Sequence, residues 1–162
     1  MIFSSFEHSN QVLPRNGRIL ALDIGTKRIG FALSDETQFI ATPKFILSRQ
    51  SNKKDFIKII EFISQNKSIA IVIGCPINMD GSPIAMTEFV QKFTQNLNEF
   101  LEDKLPIFLF EERLTSFEAR EIMASRVSIK KTKFIDDIAA SFILQHFLDE
   151  KKRLYQTKII NS

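Results

Sequence analysis

The chain has 162 residues, the length of one ordinary domain, and its 44% hydrophobic and 25% charged residues are those of a globular protein rather than a disordered one. The net charge of +3 is too mild to mark a nucleic-acid binder by itself. A single cysteine, Cys75, excludes a disulfide framework and a Cys-rich metal site, and two histidines, His8 and His146, argue against a Ser-His-Asp enzyme or a multi-His zinc site.

Residues 1–17 mix Ser, Asn, Gln and Pro without periodicity and read as a flexible extension. Met1 to His8 carry Glu7 and no basic segment ahead of a long apolar core, so they are not a secretory signal. Arg18–Ile24 is a short apolar strand ending in a carboxylate, and Gly25 and Thr26 mark a turn. Ile29–Ser34 is a second strand, and Phe39–Leu47 a third. Pro43 interrupts the third, which predicts a bent or edge strand. Such close spacing predicts hairpins and an antiparallel start.

The period then changes. Phe56, Ile59, Ile60 and Ile63 fall on one helical stripe. Ile69–Ile73 is a continuous apolar strand, as expected for one covered on both faces. Asn78–Pro83 is a turn-rich loop, and Met86 to Leu97 form a second amphipathic helix. Ile107–Phe110 is another apolar strand, running into Glu111 and Glu112. Thr115 and Glu118 are spaced as a capping box opening a helix to about Ser125. A basic loop with Arg126, Lys130, Lys131 and Lys133 leads to an apolar helix over about Phe134–Leu148. Residues 150–162 read as a charged tail. No apolar run approaches the length of a membrane span, and the expected compartment is a reducing cytoplasm. The order of elements predicts an α/β domain over 18–149, with a mixed five-stranded sheet whose first three strands are antiparallel and whose last two are parallel.

Charge is uneven along the chain. Residues 1–125 hold 14 basic and 15 acidic side chains, whereas residues 126–162 hold 8 and 4. The surplus that a polyanion would meet lies at the C-terminal end.

Three acidic positions do not suit a plain surface. Asp23 sits inside an apolar strand, where Asp is disfavoured; capping of the following turn is the structural alternative. Glu111 and Glu112 face opposite sides of the sheet by alternation, so one of them serves a given site. Asp136 shares its helical stripe with Ala140, Ile143 and Phe147, whereas Asp137 shares one with Ser141 and Gln145. Asp136 is therefore the one aimed inward. Three converging carboxylates would repel one another unless a hard cation sat among them, and oxygen-only ligands suit Mg²⁺ or Mn²⁺. Two such ions can clamp the attacking water and the leaving oxygen of a phosphodiester, a scheme that needs no histidine.

The segments LALDIGTKRIGFALSD (20–35), GCPINMDGS (74–82), EERLTS (111–116) and IDDIAASFILQ (135–145) resemble, in order, the YqgF family, also called RuvX. Its members are bacterial RNase H-like proteins of the RuvC superfamily, linked to pre-16S rRNA processing and earlier to Holliday junctions. The resemblance implies an RNase H-like fold and metal-dependent hydrolysis by water, leaving 5′-phosphate and 3′-hydroxyl ends. Asp23, Glu112 and Asp136 match the family's catalytic carboxylates and would be the metal ligands, for a pair of Mg²⁺ or Mn²⁺ ions. Lys27 and Arg28 would hold phosphate, Arg113 would orient Glu112 or touch substrate, and Lys130 and Lys131 would attract the backbone. Each of these cations also has an ordinary reading as a solvated turn, ion-pair or loop residue. Glu111 replaces the family's usual Asp, and Cys75 its larger aliphatic residue. The implied partner is nucleic acid, structured RNA or branched DNA, with a ribosomal precursor particle as the larger context and a monomer or homodimer as the working unit. Junction resolution and a non-catalytic nucleic-acid-binding scaffold are the alternatives. A sugar kinase or actin-like ATPase would need a second domain and a second Gly-rich loop, which five glycines in one domain's length do not supply.

Overall fold

The computed structural model describes residues 1–4, 9–114 and 132–160. Six strands form one sheet. They are β1 (Ile2–Phe3), β2 (Ile19–Ile24), β3 (Arg28–Ser34), β4 (Ala41–Ser48), β5 (Ala70–Asn78) and β6 (Ile107–Leu114), in the spatial order β1-β6-β5-β2-β3-β4. The β2, β3 and β4 strands pair antiparallel, and β5 pairs parallel to both β2 and β6. This is the expected mixed α/β sheet, an antiparallel meander followed by parallel strands. The parallel strands are reached through α2 (Asn52–Asn66) and α3 (Ala85–Phe100), which supply the crossovers that parallel pairing requires.

Helices cover both faces, which is why β2 and β5 are apolar almost without alternation. On one face Leu20, Leu22, Ile71 and Ile73 pack with Phe56, Ile59, Phe93 and Leu97 of α2 and α3. On the other, Ile19, Ala21, Val72 and Phe108 pack against Ala140, Ile143, Leu144 and Phe147 of the last helix, α4 (Thr132–Ile160). Small residues on the second face let α4 lie close. A Cβ added to Gly74 would stand 2.5 Å from Ile143 Cδ1 and 3.0 Å from its Cγ1. Gly74→Ala is therefore an overpacking change, expected to cost about 1–3 kcal/mol. Chemical denaturation checks it; an unchanged midpoint would mean that α4 does not seat tightly on Gly74.

Two expectations change. The first residues are not a loose extension throughout. Ile2 and Phe3 add a sixth, edge strand parallel to β6, and the N-terminal ammonium bonds Asn98 Oδ1 and Asp103 Oδ1, each at 2.5 Å. The single-turn α1 (Ser9–Val12) follows, with Leu13 buried beneath α4. A two-residue strand has no periodicity to read, so only its distant partner reveals it. The charged stretch from residue 150 continues α4 to Ile160 rather than forming a separate tail. The helix expected over Thr115–Ser125 and the basic loop with Arg126, Lys130 and Lys131 lie outside the described residues. Pro43 does mark an edge strand: β4 is the outer strand, and its register shifts opposite Phe31 and Ala32.

The turn after β3 is held by Asp35. Its Oδ1 accepts the amides of Phe39 and Ile40 at 2.8 Å, and its Oδ2 accepts the amide and hydroxyl of Thr37. Partial burial pushes this carboxyl up, but the Thr37 hydroxyl and the three backbone amides outweigh that and hold its pKa at about 2. A lowered folded-state pKa stabilises above the unfolded value near 3.8, and the gain fades as pH falls towards 2. Asp35→Asn is expected to cost about 1–2 kcal/mol at pH 7 and progressively less below pH 4. Urea melts of both proteins at pH 7, 4 and 3 check this; a constant difference would refute it.

Candidate active site

Of the carboxylates that stand out in the sequence, Asp23 and the Glu111–Glu112 pair lie towards the carboxyl ends of strands β2 and β6. Asp23 is the fifth residue of β2, opposite Gly30 of β3 and partly buried. Its parity along the strand is that of Ile19 and Ala21, which pack under α4, so its side chain is on the α4 side of the sheet. Glu112 pairs with Pro76 of β5 and shares parity with Phe108 and Phe110 on that same side. It is half-buried, whereas Glu111 is exposed. The structure thus brings Asp23 and Glu112 to one face, two strands apart, about 10 Å across the sheet.

Glu111 faces the other way. Its charge reaches Cys75, which lies on the α2–α3 side of β5. Burial first, and Glu111 second, push the Cys75 thiol up to about 11. A buried thiol at that pKa is a packing group rather than a nucleophile.

Asp136 falls in the first two turns of α4, and its side chain lies outside what the structure describes. The direction of the helix is clear from its later turns. Ile143 sits on Gly74, Gln145 bonds the Ala41 amide and the Phe39 carbonyl, and Lys151 bonds Gln38 Oε1. Gln38 in turn bonds the carbonyls of Pro14 and Gly17, just before β2 begins. The helix therefore runs from the carboxyl ends of the parallel strands to their amino ends. Asp136, seven residues before Ile143, is about 10.5 Å further towards the end that carries Asp23 and Glu112.

The basic candidates separate. Arg28 opens β3 with the parity of Gly30, so it shares the Asp23 face, and Lys27 is exposed in the preceding turn. Arg113 has the parity of Glu111 and lies across the sheet from Glu112. Its Nη1 donates to the Met79 carbonyl at 3.0 Å. It thereby braces the 78–82 loop, which also holds itself together. Asn78 Nδ2 donates to Ser82 Oγ at 2.9 Å, and the Ser82 amide and hydroxyl donate to Asp80 Oδ1 at 2.8 and 2.6 Å. Those Ser82 bonds, with Arg113 a lesser contributor, keep the Asp80 carboxyl below its ordinary range. Lys130 and Lys131 lie outside the described residues.

One residue the sequence reading passed over proves central. Arg49 follows β4. Its Nη1 donates to the Gly25 carbonyl at 3.1 Å, its Nε to Asp55 Oδ2 at 3.1 Å, and its Nη2 to Asn52 Oδ1 at 2.7 Å. Its backbone amide donates to the Lys27 carbonyl at 2.9 Å. The guanidinium lies 5.3 and 5.0 Å from the ring centroids of Phe89 and Phe93. Asp55 is 2% exposed and also accepts the Gln50 amide. Arg49 thus ties the Gly25–Lys27 turn, two residues beyond Asp23, to α2 and α3. The turn itself is tight: the Gly25 amide donates to the Arg28 carbonyl at 2.8 Å, and a Cβ on Gly25 would stand 2.8 Å from that oxygen.

The donors on this face are oxygens, and Cys75 is on the opposite one, so the residues present suit a hard cation rather than a soft one. Among the described residues no three potential ligands are grouped closely enough to hold a metal ion. Two carboxylates are described on this face, and a third would have to come from α4.

Residues 17–150 match the family model described as "RuvX: Holliday junction resolvase". The chain belongs to the RuvX family. This RuvX-family chain is 38% identical over 138 residues to a Thermoanaerobacter pseudethanolicus protein named "Putative pre-16S rRNA nuclease", covering 83% of this chain and 98% of that one. A Cereibacter sphaeroides protein of the same name is 36% identical over 151 residues, 92% of this chain and 93% of that one. Among solved structures, Thermus thermophilus RuvC in complex with a Holliday junction substrate is similar at 10% identity and a TM-score of 0.49, over 83% of this chain and 95% of that one. The Fowlpox virus resolvase bound to Holliday junction DNA is similar at 18% identity and a TM-score of 0.48, over 85% and 98%.

Proposed function

We propose that this protein is a metal-dependent endonuclease that hydrolyses phosphodiesters in structured RNA and acts at the 5′ end of pre-16S rRNA. The observation that carries the reading is the placement of Asp23 and Glu112 on one sheet face, at the strand ends towards which the first turns of α4 extend. Membership of the RuvX family and relatives named for pre-16S rRNA support the substrate.

In this reading Asp23, Glu112 and Asp136 are the ligands, and their oxygen donors suit Mg²⁺ or Mn²⁺. Ions held by these carboxylates would supply positive charge to the attacking water and to the leaving oxygen of the phosphodiester. Asp23 and Glu112 are carried on hydrogen-bonded strands of one sheet, a support that favours a fixed spacing between them. Arg28, on the same face, and Lys27 in the adjoining turn contact phosphates beside the reacting one. Lys130 and Lys131 add attraction for the backbone. Arg113 acts on the 78–82 loop rather than on Glu112. No helix among the described residues is long and apolar enough to cross a membrane, and the proposed substrate places the protein in the cytoplasm.

The second reading, junction resolution, is favoured by the description of the family model. It requires a two-fold dimer that cuts two strands symmetrically. End-labelled ribosomal precursor leader and a synthetic four-way junction, each incubated with Mg²⁺ or Mn²⁺, separate the two. Metal-dependent cleavage of the leader near the mature 5′ end is the expected result. Paired cuts in the junction with the leader intact would establish resolution instead. Binding of both without cleavage would make the protein a scaffold.

A further inference from the structure

At the far end of α4 from Asp136, a groove of about 400 Å³ opens between this helix, the turn after β3 and the segment before β2. Its floor is apolar, formed by Leu13 and Leu148, both buried. Its walls carry cations held against aromatic rings. The Arg15 guanidinium lies 4.8 Å from the Tyr155 ring centroid and donates to the Tyr155 hydroxyl. Lys152 Nζ lies 4.8 Å from the centroid of Phe39, a ring 55% exposed to solvent. Lys151, half-buried, donates to Gln38 Oε1 at 2.5 Å, and burial lowers its pKa. Among the described residues no carboxylate lines the groove.

Arg15 and Lys152, with no lining acid among the described residues, stand around exposed rings and an apolar floor and form a surface that complements a phosphate-linked chain of flat bases. A purely apolar ligand would leave the cations idle, and a simple anion would leave the rings idle. The groove also uses Lys151 and Lys152, part of the C-terminal basic surplus that the carboxylate site does not employ. From Asp136 to Lys151 is fifteen helical residues, about 22 Å.

We propose that this groove is a second nucleic-acid site, which holds a single-stranded segment remote from the cleaved bond, a base against Phe39 or Tyr155 and phosphates at Arg15 and Lys152. It rests on the nuclease reading only for the identity of the strand as substrate. Bound at both ends, a long strand gains affinity that a short one does not.

The test uses the full chain, a fluorescein-labelled twelve-nucleotide single-stranded RNA, and anisotropy in EDTA, so that cleavage plays no part. Phe39→Ala and the double variant Arg15→Ala/Lys152→Ala should each weaken binding about tenfold. The double variant should also reduce the log–log salt slope by about 1.4, since each phosphate contact on a single strand contributes about 0.7. Both should retain the wild-type Tm and cleave a four-nucleotide substrate, too short to reach the groove, at the wild-type rate with Mn²⁺. Binding by both variants within twofold of wild type would overturn the proposal, as would failure of the wild type to bind the RNA at all. Tighter, variant-sensitive binding of a labelled poly-glutamate peptide would overturn it in favour of a protein partner. Variant-sensitive RNA binding by a wild-type protein that cleaves nothing supports the groove and removes the nuclease reading.

Discussion

Asp23→Asn is expected to abolish metal-dependent cleavage while leaving the fold intact. The substitution is nearly isosteric, and the position is only partly buried, so no cavity or clash accompanies it. What it removes is one negative oxygen donor from the proposed set of three. Loss of a hard-cation ligand that supplies several kcal/mol of charge stabilisation corresponds to a fall in rate of at least about a hundredfold, at 1.36 kcal/mol per tenfold. Metal affinity should fall with the rate. Two readouts therefore accompany the cleavage assay: Mn²⁺ titration by calorimetry and the thermal midpoint in EDTA. The expected pattern is weakened Mn²⁺ binding, a midpoint at or slightly above wild type and no cleavage. Glu112→Gln should behave alike, whereas Glu111→Gln, across the sheet, should cleave normally. Full activity in the Asp23 variant would sink the assignment of the site.

The second large effect is expected at Arg49. Arg49→Ala would leave the Asp55 carboxyl, 2% exposed, without its guanidinium partner. Breaking one side of a buried ion pair costs about 3–5 kcal/mol, which for a chain of this length lowers Tm by roughly 10 °C or more. Stability alone does not test a positioning role, so a paired variant is needed. Arg49→Met/Asp55→Leu removes both charges and keeps the bulk, and should recover most of the stability. It does not restore the donor to the Gly25 carbonyl. Its cleavage rate should therefore stay well below wild type, with kcat reduced more than KM is raised, because the turn beyond Asp23 is no longer tied to α2 and α3. Wild-type kcat in the stable double variant would show that Arg49 serves stability only.

Much of this architecture is legible in one sequence. Apolar runs of five or six residues at β2 and β5, a 3.6-residue period in α2 and α3, and Pro43 in β4 are local signals, and each follows from short-range sterics or one-sided burial. The edge role of β4, the two covered faces of β5 and the opposite facing of Glu111 and Glu112 come from those signals directly. Charge distribution pointed to the end of α4, and the absence of His-rich or Cys-rich ligand sets pointed to oxygen chemistry.

Other features exist only once distant segments meet. Two residues of β1 become a strand because β6 offers them an open edge. Arg49 stands between a strand and a helix cap with no pattern around it, and acquires a role when Gly25, Asp55 and the Phe89–Phe93 pair come within reach of one guanidinium. Arg113 appears beside Glu112 in sequence, yet the two-residue period of the strand sends it to the opposite face and the 78–82 loop. The cationic groove joins side chains from positions 15, 39, 152 and 155. The sequence by itself determined which elements form and which side chains are chemically costly to bury, because both depend on short-range periodicity and on residue type. The tertiary structure alone decided which of those side chains share a face, which turn is braced and where a second site opens, because those depend on contacts between residues far apart in the chain.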